Sequence, residues 1–518
     1  MIKPLKFKYL IRQTENKRFE LYSFSNLNKI IYYFVIILIF LLSFLFYSSL
    51  FYPVLGSDQA VTILIVHYFK LPHDLYFWGQ DRMGSFIPLI AQIPYKLFNC
   101  SALVSEAITH YVILLSGFLA FSTFIKSNFY KIVFCIIWFL PPWRFVDLTQ
   151  LAFGIHYSLI AISCYLINLT YKEAIQKRWA LYHFILFLTT ILLISSVWVT
   201  DMAMLSVLIL LCVLIYYFLK DHKLSWSTFR KPEIYYTLAG LILGYLFIHY
   251  AKSISQGKHE YSAIGDLHTV FQTSRILIIS IKELLLFKAE EPFTSVYTYM
   301  VLIIIIFTLK NIRKARIKLH DKVNNWFLFF LIDAVVIFSA IICAKWTYES
   351  GVPRRYFICA YVALSYVFIL INENIVSSRK QNILKIFIAL TVLTGGVGTI
   401  YNMKYIYPKT LTPKVKIVGE FQKLGRIGII SGYWESYITS CVNPDLIKAT
   451  PYDSPWSVAK NEEIIEEVFR QPKLYIIKDN WLDIFNDTIQ QYGRTLIKDG
   501  NEFRMGDCCV CEYKKLIK

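Results

Sequence analysis

Charged residues are scarce in this 518-residue chain. Asp, Glu, Lys and Arg together make up 17% of the sequence, whereas 56% of the residues are hydrophobic and 17% are aromatic. This balance lies outside the range of ordinary soluble domains. The apolar residues form blocks of about 20, which is the length that a helix needs to cross a bilayer. The sequence therefore predicts a polytopic α-helical membrane protein rather than a set of soluble domains.

The sequence lacks the signals that mark several other classes of protein. The basic segment 1–29 is followed by an apolar run that is too long for a signal peptide and by no small-residue cleavage site, so we expect a retained first span. No internal repeat is visible, which leaves an inverted-repeat transporter without support. The net charge is +19, but Lys and Arg lie mostly in short loops, where membrane orientation explains them and no nucleic-acid partner is expected.

Paired metal-binding motifs are also lacking. Five of the ten cysteines fall inside apolar runs, where they act as small hydrophobes. The segment GDCCVCEYKK carries Cys508, Cys509 and Cys511, but no second CxxC or histidine pair accompanies it. Unpaired thiols and a disulfide to Cys441 both stay open as interpretations, and a metal site is less favoured.

The apolar blocks predict about eleven transmembrane helices. They lie near residues 29–51, 103–125, 129–142, 152–170, 179–198, 203–219, 233–250, 295–309, 326–345, 354–372 and 384–402. Alternate loops are rich in Lys and Arg, which predicts a cytoplasmic N-terminus. The opposite loops are then extracytoplasmic: 52–102, 141–151, 199–202, 251–294, 346–353 and everything after 403.

The chain is predicted to contain two domains. Residues 1–403 form the transmembrane domain, with 52–102 as its first extracytoplasmic loop. Residues 404–518 alternate short β-branched runs with amphipathic segments, which indicates a small extracytoplasmic α/β domain without a Gly-rich phosphate loop or a GxSxG motif. Within loop 251–294, an amphipathic stretch favours a helix that lies in the membrane interface.

Ionisable residues gather at the predicted extracytoplasmic ends of the spans. They include Asp58, Asp81, Arg82, Arg144, Asp147, Asp201, Lys345, Arg354 and Arg355. Charges at membrane depth are costly, so such a group needs a role or partners. Carboxylates beside guanidinium groups suit one reaction well: a base deprotonates an acceptor while cations hold a lipid-linked phosphate leaving group. Arginine is the better phosphate ligand because its planar fork donates two hydrogen bonds.

Two short motifs carry a resemblance to a known family. SDQA, with Asp58, follows the first span, and PRRYF, with Arg355 and Tyr356, opens a late one. With the long first loop and the external tail, they resemble the GT-C superfamily of polyprenyl-phosphate-dependent glycosyltransferases, in particular bacterial protein mannosyltransferases and lipid A aminoarabinose transferases. The resemblance implies a GT-C-like fold and a catalytic Asp58. The acidic pair that many members carry is absent beside Asp58, so a second carboxylate and a divalent metal stay open.

We therefore expect Asp58 to act as general base, with Asp81, Asp147 and Asp201 as further catalytic candidates. The expected substrate-binding residues are Arg82, Arg144, Lys345, Arg354, Arg355 and Tyr356. Each has a simpler interpretation. Asp58 could cap a helix, Asp81 could pair with Arg82, Asp147 and Asp201 could pair with Arg144 or Lys345, and the arginine pair could be an interfacial anchor. Three histidines, His67, His73 and His156, are interpreted as structural, and the mid-span Asp333 should face the bundle interior.

The expected function is sugar transfer in the bacterial inner membrane, as part of cell-envelope synthesis. The donor would be a polyprenyl-phosphate-linked sugar taken from among the membrane lipids, and the acceptor an extracytoplasmic glycolipid, polysaccharide or protein. The sequence identifies neither the sugar nor the acceptor. A polysaccharide polymerase or ligase, a lipid-linked sugar flippase and a non-catalytic membrane protein that displays an external domain are the alternatives.

Overall fold

The computed structural model describes residues 24–221, 231–255, 257, 263–322, 326–373, 378–454 and 460–516. The basic N-terminal segment 1–23 and most of the Lys-rich loop 220–231, which the sequence places on the cytoplasmic side, lie outside the described residues. The chain divides into two compact units. The bundle unit consists of Met1–Ser43, Ile113–Tyr245 and Glu260–Asn402, and the second unit consists of Phe44–Val112, Leu246–His259 and Met403–Lys518.

All eleven apolar blocks contain a helix. These helices are Phe24–Tyr47, Ala102–Ser122, Asn128–Phe139, Ala152–Ile175, Trp179–Val199, Ala203–Asp221, Pro232–Ser253, Pro292–Lys322, Trp326–Cys343, Ile358–Glu373 and Ser378–Tyr401. Ten helices of the described chain are long and apolar enough to cross a membrane. The prediction of a polytopic helical membrane protein is confirmed, but the count of about eleven spans is not.

The eleventh block forms the short helix Asn128–Phe139. Twelve residues at 1.5 Å each reach about 18 Å, well below the roughly 30 Å of a bilayer core. The helix ends before Pro141 and Pro142, which cannot continue it. Its side chains are mostly buried, and the Trp138 indole donates to the Leu114 carbonyl at 3.1 Å. This block is therefore a core helix of the bundle unit.

Large apolar side chains cover the outside of the spanning helices. On Pro232–Ser253, for example, Ile242 and Leu243 are 61% and 60% exposed. Apolar surface of this extent is stable only against lipid. Inside the bundle unit, Asp333 is fully buried and accepts a hydrogen bond from the Tyr157 hydroxyl. The expectation that Asp333 faces the interior is confirmed.

Further helices and turns occupy the segments outside the spans. They are Ser57–Tyr68, Phe86–Leu97, Leu267–Leu285 and Lys345–Glu349, with 3₁₀ turns at Trp143–Leu148, Arg354–Phe357 and Gly419–Leu424 and a π-helical turn at Asn402–Ile406. The helix Leu267–Leu285 lies where the amphipathic stretch predicted one. The first loop, 52–102, is therefore well structured.

The C-terminal segment folds around one seven-stranded sheet. Its strands are β1 (Ile427–Ser431), β2 (Ile447–Pro451), β3 (Lys473–Lys478), β4 (Thr488–Gln491), β5 (Arg494–Lys498), β6 (Phe503–Met505) and β7 (Cys508–Lys515), and its helices are Lys414–Val418, Tyr433–Ser440 and Glu462–Phe469. The order is β2-β1-β3-β7-β5-β4, with β6 paired to β7. Strand β1 runs parallel to β2 and β3, and β7 runs antiparallel to β3. The predicted α/β fold of this segment is confirmed.

One hydrophobic core joins the first loop to this sheet within the second unit. It contains Ile63 and Trp78 from the loop as well as Ile429 and Tyr437 from the C-terminal segment. The rings of Trp78 and Tyr437 lie 6.0 Å apart, and the helices Ser57–Tyr68 and Tyr433–Ser440 pack against each other. The structure thus groups loop 52–102 with the C-terminal segment, whereas the sequence assigned this loop to the transmembrane domain.

Gly428 in β1 gives a test of this packing. An added Cβ would lie 2.3 Å from the Val468 carbonyl oxygen, which belongs to the backbone of the helix Glu462–Phe469. We expect Gly428→Ala to destabilise the second unit by about 2–4 kcal/mol, because the helix must move away from the sheet. Thermal unfolding of the purified full chain would measure the loss. Gly419→Ala is the control, since its nearest contact would be an ordinary 3.6 Å, and equal melting of both variants would contradict the packing.

Candidate active site

Asp58 lies in the first turn of the helix Ser57–Tyr68. The side chain of Gln59 accepts a hydrogen bond from the Gly56 amide at 2.7 Å, so the cap of this helix is built by its neighbours. The first turn of a helix carries unpaired N–H groups and a partial positive charge, which stabilise a carboxylate there. Asp58 is partly exposed. Its carboxylate is therefore available for a role other than the capping role considered from the sequence.

The Asp58 carboxylate has one side-chain partner from far along the sequence. The Tyr433 hydroxyl donates to Asp58 Oδ1 at 2.6 Å, and none of the described residues donates a hydrogen bond to Oδ2. Tyr433 is the first residue of the helix that follows β1. Burial, and then the negative charge of Asp58, raise the pKa of Tyr433 well above its usual value. The hydroxyl thus stays protonated at neutral pH and acts as a hydrogen-bond donor.

Asp81 and Arg82 lie at the tip of a tight hairpin in the first loop. The Phe77 amide donates to Met83 O at 2.9 Å, and the Ser85 amide donates to Leu75 O at 3.1 Å. Arg82 Nε donates to Gln80 Oε1 at 3.0 Å, and both Asp81 and Arg82 are partly exposed. The hairpin therefore holds these two residues on a fixed loop of the second unit.

The base of this hairpin is fixed by Asp74, which the sequence did not assign. Asp74 is 2% exposed and accepts hydrogen bonds from the Lys70 amide at 2.7 Å and the Trp78 indole at 3.3 Å. His73 Nδ1 lies 3.0 Å from the same carboxylate. Asp74 thus has a structural role in shaping the loop.

The other two histidines also make structural contacts. His67 Nδ1 lies 3.0 Å from the Tyr95 hydroxyl, and burial lowers the pKa of His67. In the bundle unit, His156 Nδ1 lies 3.2 Å from the Ala152 carbonyl. Within the described part of the chain, no group of three or more His, Cys, Asp and Glu side chains could hold a metal ion.

All ten cysteines lie in the described ranges, and each has a free thiol. Cys508 donates to Glu435 Oε2 at 3.7 Å, and Cys441 donates to the Ile438 carbonyl at 3.3 Å. Burial raises the pKa of Cys508 to about 12. Of the two open interpretations, the structure has the unpaired thiols.

A second group of charged residues lies in the bundle unit. These residues lie where two 3₁₀ turns and one helix begin, and each of these starts has a proline. Arg144 belongs to the turn Trp143–Leu148 that follows Pro142, and Arg354 and Arg355 belong to the turn Arg354–Phe357 that follows Pro353. Glu291 directly precedes Pro292, the first residue of a helix. Proline favours the start of helical turns because its φ is already fixed. These local sequences thus place the charges at helix ends.

Glu291 contacts two of the arginines. Its side chain is only 7% exposed; Oε1 pairs with Arg144 Nη2, and Oε2 lies 3.6 Å from Arg354 Nη1. Nearby in sequence, Arg355 Nη1 lies 4.0 Å from Asp147 Oδ2. We call Arg144, Arg354 and Arg355 with Glu291 and Asp147 the arginine cluster. Its formal charge is three minus two, or +1.

The arginine cluster has unfilled hydrogen-bonding capacity. Arg354 Nη1 and Glu291 Oε2 are both buried and have no hydrogen-bond partner among the described residues. Their separation of 3.6 Å is an ion-pair distance and too long for a good hydrogen bond. A buried donor without a partner is costly, so it marks a place where a ligand oxygen would be stabilised. Among the described residues the cluster thus offers an unpartnered guanidinium donor, which suits an anion oxygen, with an unpartnered carboxylate acceptor beside it.

Of the remaining predicted residues, Tyr356 contacts the arginine cluster, whereas Lys345 and Asp201 lie on other segments. Tyr356 accepts a hydrogen bond from the Trp346 indole at 2.7 Å, and its ring lies 5.7 Å from the Arg355 guanidinium. Lys345 is more than half exposed and lies 3.2 Å from Glu349, one helical turn away. Asp201 lies, partly exposed, in the turn between the helices that end at Val199 and begin at Ala203. Lys345 is thus paired at the surface, in contrast to Arg354.

Two residues that make central contacts were missed from the sequence. Glu291 could have been noticed, since two adjacent acids, EEP, precede an apolar block. Tyr433 carried no signal, because its partner Asp58 lies 375 positions away. For Asp147 the sequence offered Arg144 or Lys345 as partner, and the structure adds an ion pair with Arg355.

The fold of this chain also occurs among solved structures. No protein-family model and no curated protein sequence matches the chain. The structure is similar to that of ArnT from Cupriavidus metallidurans in the apo state, with a TM-score of 0.55 and 9% identity over 95% of this chain and 98% of that one. A second ArnT structure, bound to undecaprenyl phosphate, gives a TM-score of 0.53 with 9% identity over 93% and 97% of the two chains. The fold that the resemblance implied is thereby confirmed, since the chain shares the fold of ArnT over most of its length.

Proposed function

We propose that this protein is a membrane glycosyltransferase that moves a sugar from a polyprenyl-phosphate-linked donor to an extracytoplasmic acceptor. The observation that carries the proposal is the arginine cluster. It offers a buried guanidinium donor that has no hydrogen-bond partner among the described residues, at the end of an apolar helix. The shared fold supports the choice of anion, since an ArnT structure contains undecaprenyl phosphate. A lipid-linked phosphate presents its charge at this level of a membrane.

The proposed reaction assigns separate tasks to the two groups of residues. Asp58 Oδ2 accepts the proton of an acceptor hydroxyl or amine, and the acceptor atom forms a bond to the anomeric carbon of the donor. The bond from that carbon to the phosphate oxygen breaks, and polyprenyl phosphate leaves with an additional negative charge. Arg144, Arg354 and Arg355 stabilise this charge. Arg82, Lys345 and Tyr356 are kept as further substrate contacts, and Asp81, Asp147 and Asp201 as candidates for a second carboxylate.

The proposal includes an orientation in the membrane. It counts the short buried helix Asn128–Phe139 as an eleventh crossing beside the ten long helices. The N-terminus is then cytoplasmic, the C-terminal α/β domain is extracytoplasmic, and the membrane is the bacterial inner membrane. A C-terminal alkaline phosphatase fusion should then be active, because that reporter folds only outside the cytoplasm. The same reporter fused after residue 221 should be inactive, since the Lys-rich loop there is expected on the cytoplasmic side.

The C-terminal α/β domain is proposed to orient the acceptor. The chain leaves β1 for β2 on one side and returns to β3 on the other, which makes the carboxyl ends of β1 and β3 a topological switch point. Ligands of α/β sheets bind at such points. Tyr433 and the 56% exposed Trp434 follow β1 there, and aromatic rings can stack on sugars.

A transport assay separates this function from the alternatives. A flippase moves its lipid without breaking a bond, whereas a transferase releases polyprenyl phosphate. The buried Asp333 points toward transport, but one of its carboxylate oxygens already accepts a hydrogen bond from Tyr157 inside the bundle unit. Purified protein in detergent is expected to release polyprenyl phosphate from an undecaprenyl-phosphate-linked sugar when cell-envelope acceptor is added. Movement of that lipid across vesicles without its cleavage would contradict the proposal.

A further inference from the structure

We propose that Tyr433 is a positioning residue that fixes the Asp58 carboxylate for proton transfer. The inference rests on the proposed function and adds to it a residue of the C-terminal segment. Tyr433 donates to Oδ1 at 2.6 Å, which leaves Oδ2 as the oxygen that can accept the acceptor's proton. A carboxylate rotates easily about its terminal torsion, since that torsion has broad minima. A strong donor on one oxygen removes this freedom.

The backbone that carries Tyr433 is held in place by two strands. The Gly432 amide donates to Asp479 Oδ2 at 2.9 Å, and Asp479 Oδ1 accepts from the Trp481 amide at 3.2 Å. Gly432 follows the end of β1, and Asp479 follows the end of β3. A Cβ at position 432 would lie 2.2 Å from Asp479 Oδ2, so only glycine permits this approach. The start of the Tyr433 helix is therefore fixed to the sheet.

The Tyr433 ring is held by its neighbours as well. It lies 6.1 Å from the Tyr437 ring, and Tyr437 in turn contacts Trp78 of the first loop. The helices Tyr433–Ser440 and Ser57–Tyr68 pack against each other. Because both ends of the hydrogen bond are mounted on packed helices, the hydroxyl and the carboxylate have little room to separate. Rigid mounting of this kind is what a preorganised catalytic group requires.

A purely structural interpretation of the same hydrogen bond makes a different prediction. A structural contact would change the melting temperature and leave catalysis alone, whereas a positioning contact would lower kcat with little effect on donor binding. The chain offers a matched comparison in the same sheet domain. The Tyr475 hydroxyl donates to Glu512 Oε2 at 3.1 Å, so it also forms a tyrosine–carboxylate hydrogen bond.

The experiment compares Tyr433→Phe with Tyr475→Phe in the purified full chain. Release of polyprenyl phosphate from an undecaprenyl-phosphate-linked sugar is measured together with thermal unfolding. We expect both variants to melt within a few degrees of the wild type. Tyr433→Phe should lower kcat about 10- to 100-fold, since a hydrogen bond to a charged group is lost, and leave the donor KM within about twofold. Tyr475→Phe should keep both values.

Double substitution shows through which group Tyr433 acts. In the Asp58→Asn background, single-turnover assays with radiolabelled donor should show no further loss from Tyr433→Phe. A Tyr433→Phe enzyme with wild-type kcat, or with a loss that Tyr475→Phe reproduces, would overturn the positioning role while leaving the proposed function intact. A wild-type protein that releases no polyprenyl phosphate would overturn the proposed function itself.

Discussion

Replacing Asp58 with asparagine is expected to lower the rate of polyprenyl phosphate release about 10²- to 10⁴-fold, the usual contribution of a general base. The amide still offers an oxygen to the Tyr433 hydroxyl, which lies 2.6 Å from Oδ1 in the wild type. It cannot take up a proton from the acceptor. The fold and the thermal stability should therefore remain close to those of the wild type while transfer is lost. Steady-state kinetics and a melting curve on the same preparation measure both.

The control for this experiment is an aspartate of the same unit with no assigned role. Asp445 is 81% exposed at its side chain and lies 3.6 Å from His67, so Asp445→Asn should change the rate less than about twofold. Rates for Asp58→Asn equal to those of Asp445→Asn would remove Asp58 from the mechanism. The same assay on Asp81→Asn, Asp147→Asn and Asp201→Asn tests the second carboxylate, because only a catalytic partner should approach the loss seen at position 58.

The helices of this protein were predictable because lipid imposes a simple rule. A spanning segment must satisfy its backbone internally and expose apolar side chains, so block length and composition suffice to find it. The exception is Asn128–Phe139. Its composition is that of a span, but the prolines that follow shorten it and its neighbours bury it. Apolar composition does not distinguish a lipid-facing helix from a core helix.

The candidate site was predictable only in part. The position of Asp58 after the first span, and the Arg355-Tyr356 motif, were available from the resemblance to the GT-C superfamily. The hydrogen bond from Tyr433 to Asp58 depends on how the C-terminal sheet packs against the first loop, and no local pattern encodes such a contact. Likewise, the arginines were seen as a basic pair, whereas Glu291 distinguishes between them by contacting Arg354. Long-range packing thus decided which charges have partners.

Donor binding is expected to depend on Arg354 much more than on Lys345. The sequence placed the arginines and Lys345 in one group of substrate-binding candidates, but their surroundings in the structure differ. Arg354 is 28% exposed at its side chain and lies beside the buried Glu291, and its buried Nη1 has no hydrogen-bond partner in the part of the chain that the structure describes. Lys345 is 56% exposed and paired with Glu349. A phosphate bound by Arg354 would gain charge-assisted hydrogen bonds in a partly desolvated place, whereas one near Lys345 would meet a solvated ammonium.

We therefore expect Arg354→Ala to raise the donor KM about 100-fold, which corresponds to one or two lost charge-assisted hydrogen bonds. Arg354→Lys keeps the charge but not the planar fork, so it should raise the donor KM only about 10-fold. Lys345→Ala is the matched control and should stay within about twofold. Glu291 keeps its contact with Arg144 in these variants, so the fold should persist. If Arg354→Ala and Lys345→Ala weakened donor binding equally, the arginines would be interfacial anchors, and the phosphate would have to bind elsewhere.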